Sequence, residues 1–147
     1  MKLKTALFAI AFTGLAMGAV TAADEPQMVR QEMMKKVGGA MGALAGIAKG
    51  EKPYDAAVVT ASLTTMSETA KAFPDQFPAG SETGMDTEAS PKIWENMEDF
   101  KAKALKLGAD ADAVLAAMPA DQAAVGAALG TIGPNCGGCH EVYRLKK

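Results

Sequence analysis

Apolar and small residues recur at alternating spacings of three and four along four successive stretches of this 147-residue chain, and that recurrence limits what it can fold into. The spacing keeps one stripe of each helix facing its neighbours while the helices lie nearly parallel. No stretch alternates with the period of two that a half-buried strand requires. Aromatic residues, which strands favour, make up only 5% of the chain, so the reading is all-α.

The first stripe lies between about Pro26 and Lys49 and consists of Met34, Val37, Met41, Leu44 and Ala48, with Gly50 as a C-terminal cap. The second runs from Pro53 to Ala72 and carries Val59, Leu63, Met66, Ala70 and Phe73 before Pro74 and Pro78 close it. Between Pro74 and Pro91 lies the longest connection, rich in Pro, Gly, Ser, Thr and acidic residues. Connections of that length tend to be functional or mobile. A third helix opens with Ser90 as N-cap and Pro91 at its first position and runs to about Ala117, with Gly108 as a candidate break. Its stripe is Ile93, Met97, Phe100, Ala104, Leu107, Ala111, Val114 and Met118.

A fourth helix begins near Pro119 to Asp121 and places Val125, Leu129, Ile132, Cys136, Cys139 and Tyr143 in one register. Four such segments with mostly short connections predict an antiparallel, up-down-up-down four-helix bundle. Pro134 has no N–H for the carbonyl of Gly130 and its ring crowds that carbonyl, which predicts a kink just ahead of the cysteines.

Lys2 and Lys4 precede an apolar stretch from Ala6 to Val20 that ends in Val20-Thr21-Ala22. Residues 1–22 therefore read as a secretory signal cleaved after Ala22, and 23–147 as one domain exported to the periplasm. No other stretch approaches the roughly 20 apolar residues of a membrane span. Loss of Lys2 and Lys4 takes the formal net charge from −2 to −4, a mild acidity that gives no reason to expect nucleic acid as a partner.

Cys136-Gly137-Gly138-Cys139-His140 has the C-x-x-C-H spacing of covalent haem attachment. Two thiols one helical turn apart can each form a thioether with a haem vinyl group, and the adjacent imidazole turns onto the iron. Other uses of the same residues fit worse. A thioredoxin-like dithiol calls for a βαβ setting, and a zinc site calls for further Cys or His ligands that the chain lacks. A disulfide across two intervening residues would close too small a loop to add much stability. The expected cofactor is one covalent haem c per chain.

His140 is the only histidine, so a bis-histidine iron is excluded within one subunit. The sixth position then falls to methionine, a less common ligand such as lysine, water, or nothing. Eight of the ten methionines lie beyond the leader, and most at helical spacing are core filler. Met34 is favoured, because it belongs to the inward stripe and Arg30, one turn earlier, can meet a haem propionate from the same face. Met33, Met41 and Met97 stay open.

With these features the chain resembles the class II cytochromes c, which include the high-spin cytochromes c prime and a low-spin branch, cytochrome c-556. The resemblance spans the mature chain. It rests on Arg30-Gln31, on Gly50-Glu51-Lys52-Pro53-Tyr54-Asp55, on Ser90-Pro91-Lys92-Ile93-Trp94, and on Cys136 through Arg144. It implies that the first helix crosses the haem face opposite the histidine with Met34 over the iron. High-spin relatives usually carry there a bulky side chain that leaves the iron five-coordinate, whereas the low-spin branch uses a methionine ligand. Met33-Met34-Lys35 looks closer to the low-spin branch. By the same resemblance Arg30 and Gln31 contact one propionate, Arg144 helps to neutralise the second, and Trp94 packs on or near the porphyrin. Pro134 and the Gly137-Gly138 pair depart from the more helix-friendly residues common at those sites.

The function expected from the sequence is a one-electron carrier with iron held by His140 and Met34, meeting other redox proteins briefly. The alternative is a five-coordinate haem that binds nitric oxide or carbon monoxide. An enzyme is not expected, since no nucleophile with an adjacent base accompanies the haem motif. A homodimer through the first two helices, where Gly38, Gly39 and Gly42 permit close approach, is left open.

Overall fold

The computed structural model describes residues 25–146; the signal sequence expected at 1–22 lies outside them. Within these residues the chain forms helices α1 (Pro26–Ala48), α2 (Ala56–Ala72), α3 (Lys92–Glu95), α4 (Met97–Ala116) and α5 (Gln122–Tyr143), with a 3₁₀ turn over Phe73–Gln76. The four long helices close a ring of contacts in which α1 packs on α2 and α5, and α4 on α2 and α5. This is the up-down-up-down bundle, with neighbours in sequence also neighbours in space.

Local chemistry explains the boundaries. Gly50 adopts φ +74°, donates to Ile47 O at 2.9 Å, and lets Glu51 donate to Gly46 O at 2.9 Å. These two bonds make the C-cap of α1 a Schellman motif, with glycine where a left-handed residue is needed. Helix α2 starts at Ala56, three residues later than the expected Pro53, because the Asp55 side chain accepts from Ala57 N at 2.8 Å and Val58 N at 3.3 Å. Tyr54 then donates to Pro119 O at 2.7 Å, which ties the first turn to the turn between α4 and α5.

The expected third helix is broken, but not at Gly108. The interruption is at Asn96 (φ −142°, ψ 62°), which ends α3 and caps α4 through its side chain, accepting from Asp99 N at 3.4 Å. Gly108 stays helical and marks a close approach of α4 to α2. A Cβ there would lie 2.9 Å from Lys71 Cγ and 3.3 Å from Ser67 O. Pro134 does not interrupt α5; it sits on an exposed side of the helix, where water can satisfy the carbonyl it leaves behind.

Two clusters of buried side chains fill the bundle. One runs along its length through Val37, Leu44, Ile47, Val59, Leu63, Met66, Ala111, Val125 and Ile132. The other gathers at one end around Phe77, Ile93, Phe100 and Tyr143, with Cys139, Trp94 and Met97 packed against it. Of the six aromatic residues among those described, only Tyr54 lies outside this group.

The long connection is fastened at both sides rather than left free. Gln27 Nε2 donates to Thr83 O at 2.7 Å and Arg30 Nη2 to Ser81 O at 2.7 Å. At its far end Leu145 N donates to Glu88 O at 2.8 Å and Ser90 N to Tyr143 O at 3.0 Å.

Candidate functional site

Helix α5 carries Cys136, Cys139 and His140 on its last two turns, followed by Tyr143 and the C-cap Arg144. Both thiols are unpaired and partly buried. Burial pushes each thiol above its ordinary value; at Cys139 the charge of Lys103 opposes the effect. Burial also holds the His140 imidazole below its usual pKa, Arg144 adds to this, and Glu88 works against it. A depressed pKa keeps the imidazole neutral, as a metal ligand must be.

Cys139 leans on the aromatic cluster, which fixes that end of α5. Phe100 meets Tyr143 at 5.3 Å between ring centroids and Phe77 at 4.7 Å. Tyr143 donates to Asp99 Oδ2 at 2.6 Å, locking the last turn of α5 to the first turn of α4. Asn135, beside Cys136, donates to Asp110 Oδ2 at 2.7 Å. The two cysteines and His140 thus sit on a helix held to α4 on both sides of the motif.

The side chains expected to surround the haem fall into three groups. Arg30 is 4% exposed, with its guanidinium carbon 4.5 Å from the Phe77 centroid and 5.6 Å from that of Trp94. Its Nη2 is bound to Ser81, but Nε and Nη1 are buried without a partner. Met34 is partly buried against the long core, as is Met41, whereas Met97 packs in the aromatic cluster with Cys139. Met33, beside Met34, is also partly buried. Gln31 and Arg144 are exposed: Gln31 donates to Met85 O at 3.0 Å, and Arg144 pairs with Glu88 at 2.6 Å. Trp94 lies edge-on to Phe77 at 5.6 Å.

These residues fit a haem. Two guanidinium donors left unbonded in a buried position suit a propionate, since a buried donor without a partner is costly. Beside the thiols, a Cβ built at Gly137 or Gly138 would meet nothing within 4 Å, so a flat group can lie along the helix there. Among the described residues no group of three or more His, Cys, Asp and Glu gathers as a metal site.

The chain matches the family Cytochrome C' over residues 25–144. It belongs to that family. Cytochromes of this family carry covalently bound haem c, and this chain is a haem protein of the same kind. It is 63% identical to a cytochrome c-556 of Agrobacterium fabrum over 147 residues, which is 100% of this chain and 99% of the relative. Among solved structures it superimposes on cytochrome c' from Rhodopseudomonas palustris with a TM-score of 0.80 at 38% identity, covering 85% of this chain and 99% of that one. An NMR-validated structural model of oxidised R. palustris cytochrome c556 gives 0.76 at 35% identity, covering 85% and 99%.

Sequence reasoning missed two residues near this cytochrome site. Gln27, 6% exposed with its Oε1 buried and unpartnered, stands one turn before Arg30 on the same face; the i, i+3 spacing from Arg30 was the available signal. Glu88, which takes up Arg144, had no signal, because the two lie 56 residues apart.

Proposed function

We propose that the mature chain, residues 23–147 after loss of the signal, works in the periplasm as a one-electron carrier. Its haem is thioether-linked to Cys136 and Cys139, and its iron is held between His140 and Met34. The donor set carries the reading: the chain's only histidine follows Cys139 directly, and Met34 stands on α1 one turn beyond a buried arginine with two unbonded donors. The 63% identity to a protein named cytochrome c-556 supports it.

Haem supplies reversible one-electron chemistry at its iron when bound. The protein's own contribution is placement. Cys136 and Cys139, one turn apart on a helix tethered to α4, hold the group without any need for pocket affinity. His140, kept neutral by its surroundings, presents a lone pair. A Met34 thioether, as the second protein ligand, would keep the ligand set the same in both oxidation states, so little would have to rearrange when an electron moves. Arg30 offers Nε and Nη1 to one propionate. Gln31 lies at the margin and adds at most a neutral donor. No helix among the described residues is long and apolar enough to cross a membrane, and partners are other redox proteins met through small, polar interfaces.

The visible spectrum of the reduced, haem-loaded protein with and without carbon monoxide tests this. A sharp α band indifferent to the gas is expected, and Met34→Leu should give a broad band that shifts at once, while Met97→Leu should not. If the unaltered protein itself responds to carbon monoxide, the sixth site is open and the gas-binding reading, to which the fold similarity to cytochrome c' lends support, replaces the carrier.

A further inference from the structure

Arg144 follows the iron-binding histidine by one turn, and its own backbone N–H donates to His140 O at 3.2 Å. Its guanidinium meets the long connection, where Nε and Nη2 each reach Glu88 Oε2 at 2.6 Å. Glu88 is in turn held by the backbone. Its carbonyl accepts from Leu145 N at 2.8 Å, and the next residue, Ala89, forms an antiparallel bridge with Arg144. Both partners are pinned, so the pair keeps one geometry rather than wandering as surface pairs usually do. Both charges also reach the imidazole of His140, with opposite sign.

We infer that Glu88 is a positioning residue for the iron site: by holding Arg144 in a fixed ion pair beside His140, it cancels a positive charge that would otherwise raise the reduction potential. The inference rests on the reading of His140 as the iron ligand. Arg144, for which the family resemblance implies the second propionate, pairs in this structure with a carboxylate of its own chain.

The sign follows from Coulomb's law. An uncompensated cation near the iron penalises the oxidised state more than the reduced state, because the oxidised iron carries one more positive charge. Glu88→Gln leaves Arg144 unpaired, so the potential rises. Arg144→Gln removes the cation and keeps the Glu88 charge, so it falls. The double substitution removes both charges and brings the potential back toward that of the parent. The side chains are 53% and 34% exposed, so both single shifts should shrink as salt is raised, since the screening length drops from about 10 Å at 0.1 M to about 3 Å at 1 M.

The experiment is a redox titration of the haem-loaded mature protein and of Glu88→Gln, Arg144→Gln, the double variant and Glu88→Asp, each at low and high salt. Opposite single shifts, cancellation in the double variant, a near-parental Glu88→Asp and attenuation by salt are expected. Single shifts of the same sign, no shift, or shifts that add in the double variant overturn the proposal. Should Glu88→Gln fail to retain haem, Arg144→Gln decides alone, and an unchanged or raised potential there overturns it. The carbon monoxide spectrum of each variant is recorded in parallel, so an open sixth site counts against Met34 and not against the ion pair.

Discussion

Arg30 lies over the ring of Phe77, its guanidinium carbon 4.5 Å from the centroid, and with Nη2 it donates to the carbonyl of Ser81 at 2.7 Å. One buried cation therefore joins α1 to two points of the long connection. Burial lowers its pKa, and the nearby charge of Glu82 opposes that. Arg30→Leu should loosen the connection specifically. A cation over an aromatic ring contributes about 2 kcal/mol when desolvated and a charged hydrogen bond about 1.5–3, and Leu recovers part of this by burying apolar surface, so a net loss of about 2 kcal/mol is expected in chemical denaturation. Amide exchange should accelerate most at Ser81 and Thr87, whose N–H groups bond within the connection. Uniform acceleration across the bundle would show that Arg30 is not a local fastener.

Gly108 and Gly38 should respond in opposite ways to alanine. At Gly108 the new Cβ meets Ser67 O and the base of the Lys71 side chain, and Lys71 is itself committed to Asp112. Overpacking of that kind costs about 1–3 kcal/mol, against a helix-propensity gain of about 1. At Gly38 nothing lies within 4 Å, so the propensity gain of about 1 kcal/mol stands unopposed. Thermal unfolding should thus rank Gly38→Ala above the parent and Gly108→Ala below it; the reverse order would contradict the close approach of α2 and α4.

The contrast between these glycines shows what the sequence carried and what it did not. Val37, Leu44, Val59, Leu63, Met66, Val125 and Ile132 were legible because helical periodicity is local, and all of them are buried. The attachment motif was legible for the same reason, since its chemistry is contained in five consecutive residues. Gly108 has no such local signature: its meaning depends on Ser67 and Lys71 of another helix. Asn96 was hidden because the apolar stripe from Ile93 to Met97 and Phe100 continues straight across it. Glu88 had no local signature either, because it reaches Arg144 from the connection, which has no periodicity to read.

Tyr143 links this site to pH. Its hydroxyl donates to Asp99 Oδ2 at 2.6 Å, and burial, with the hydrogen bond and charge of Asp99 adding to it, pushes its pKa from 10.0 up to about 12. A phenol that ionises later in the folded protein than in the unfolded chain stabilises the fold fully below pH 10.0, and that contribution is lost as pH rises toward about 12. Stability of the parent should therefore fall between those limits. Tyr143→Phe removes the ionising group together with its bond to a carboxylate, at a cost of about 1.5–3 kcal/mol near neutrality, and should flatten the alkaline decline. Denaturation midpoints for both proteins from pH 8 to 12 provide the check. An equal alkaline decline in the two would mean that the tie between α5 and α4 does not depend on the Tyr143 proton.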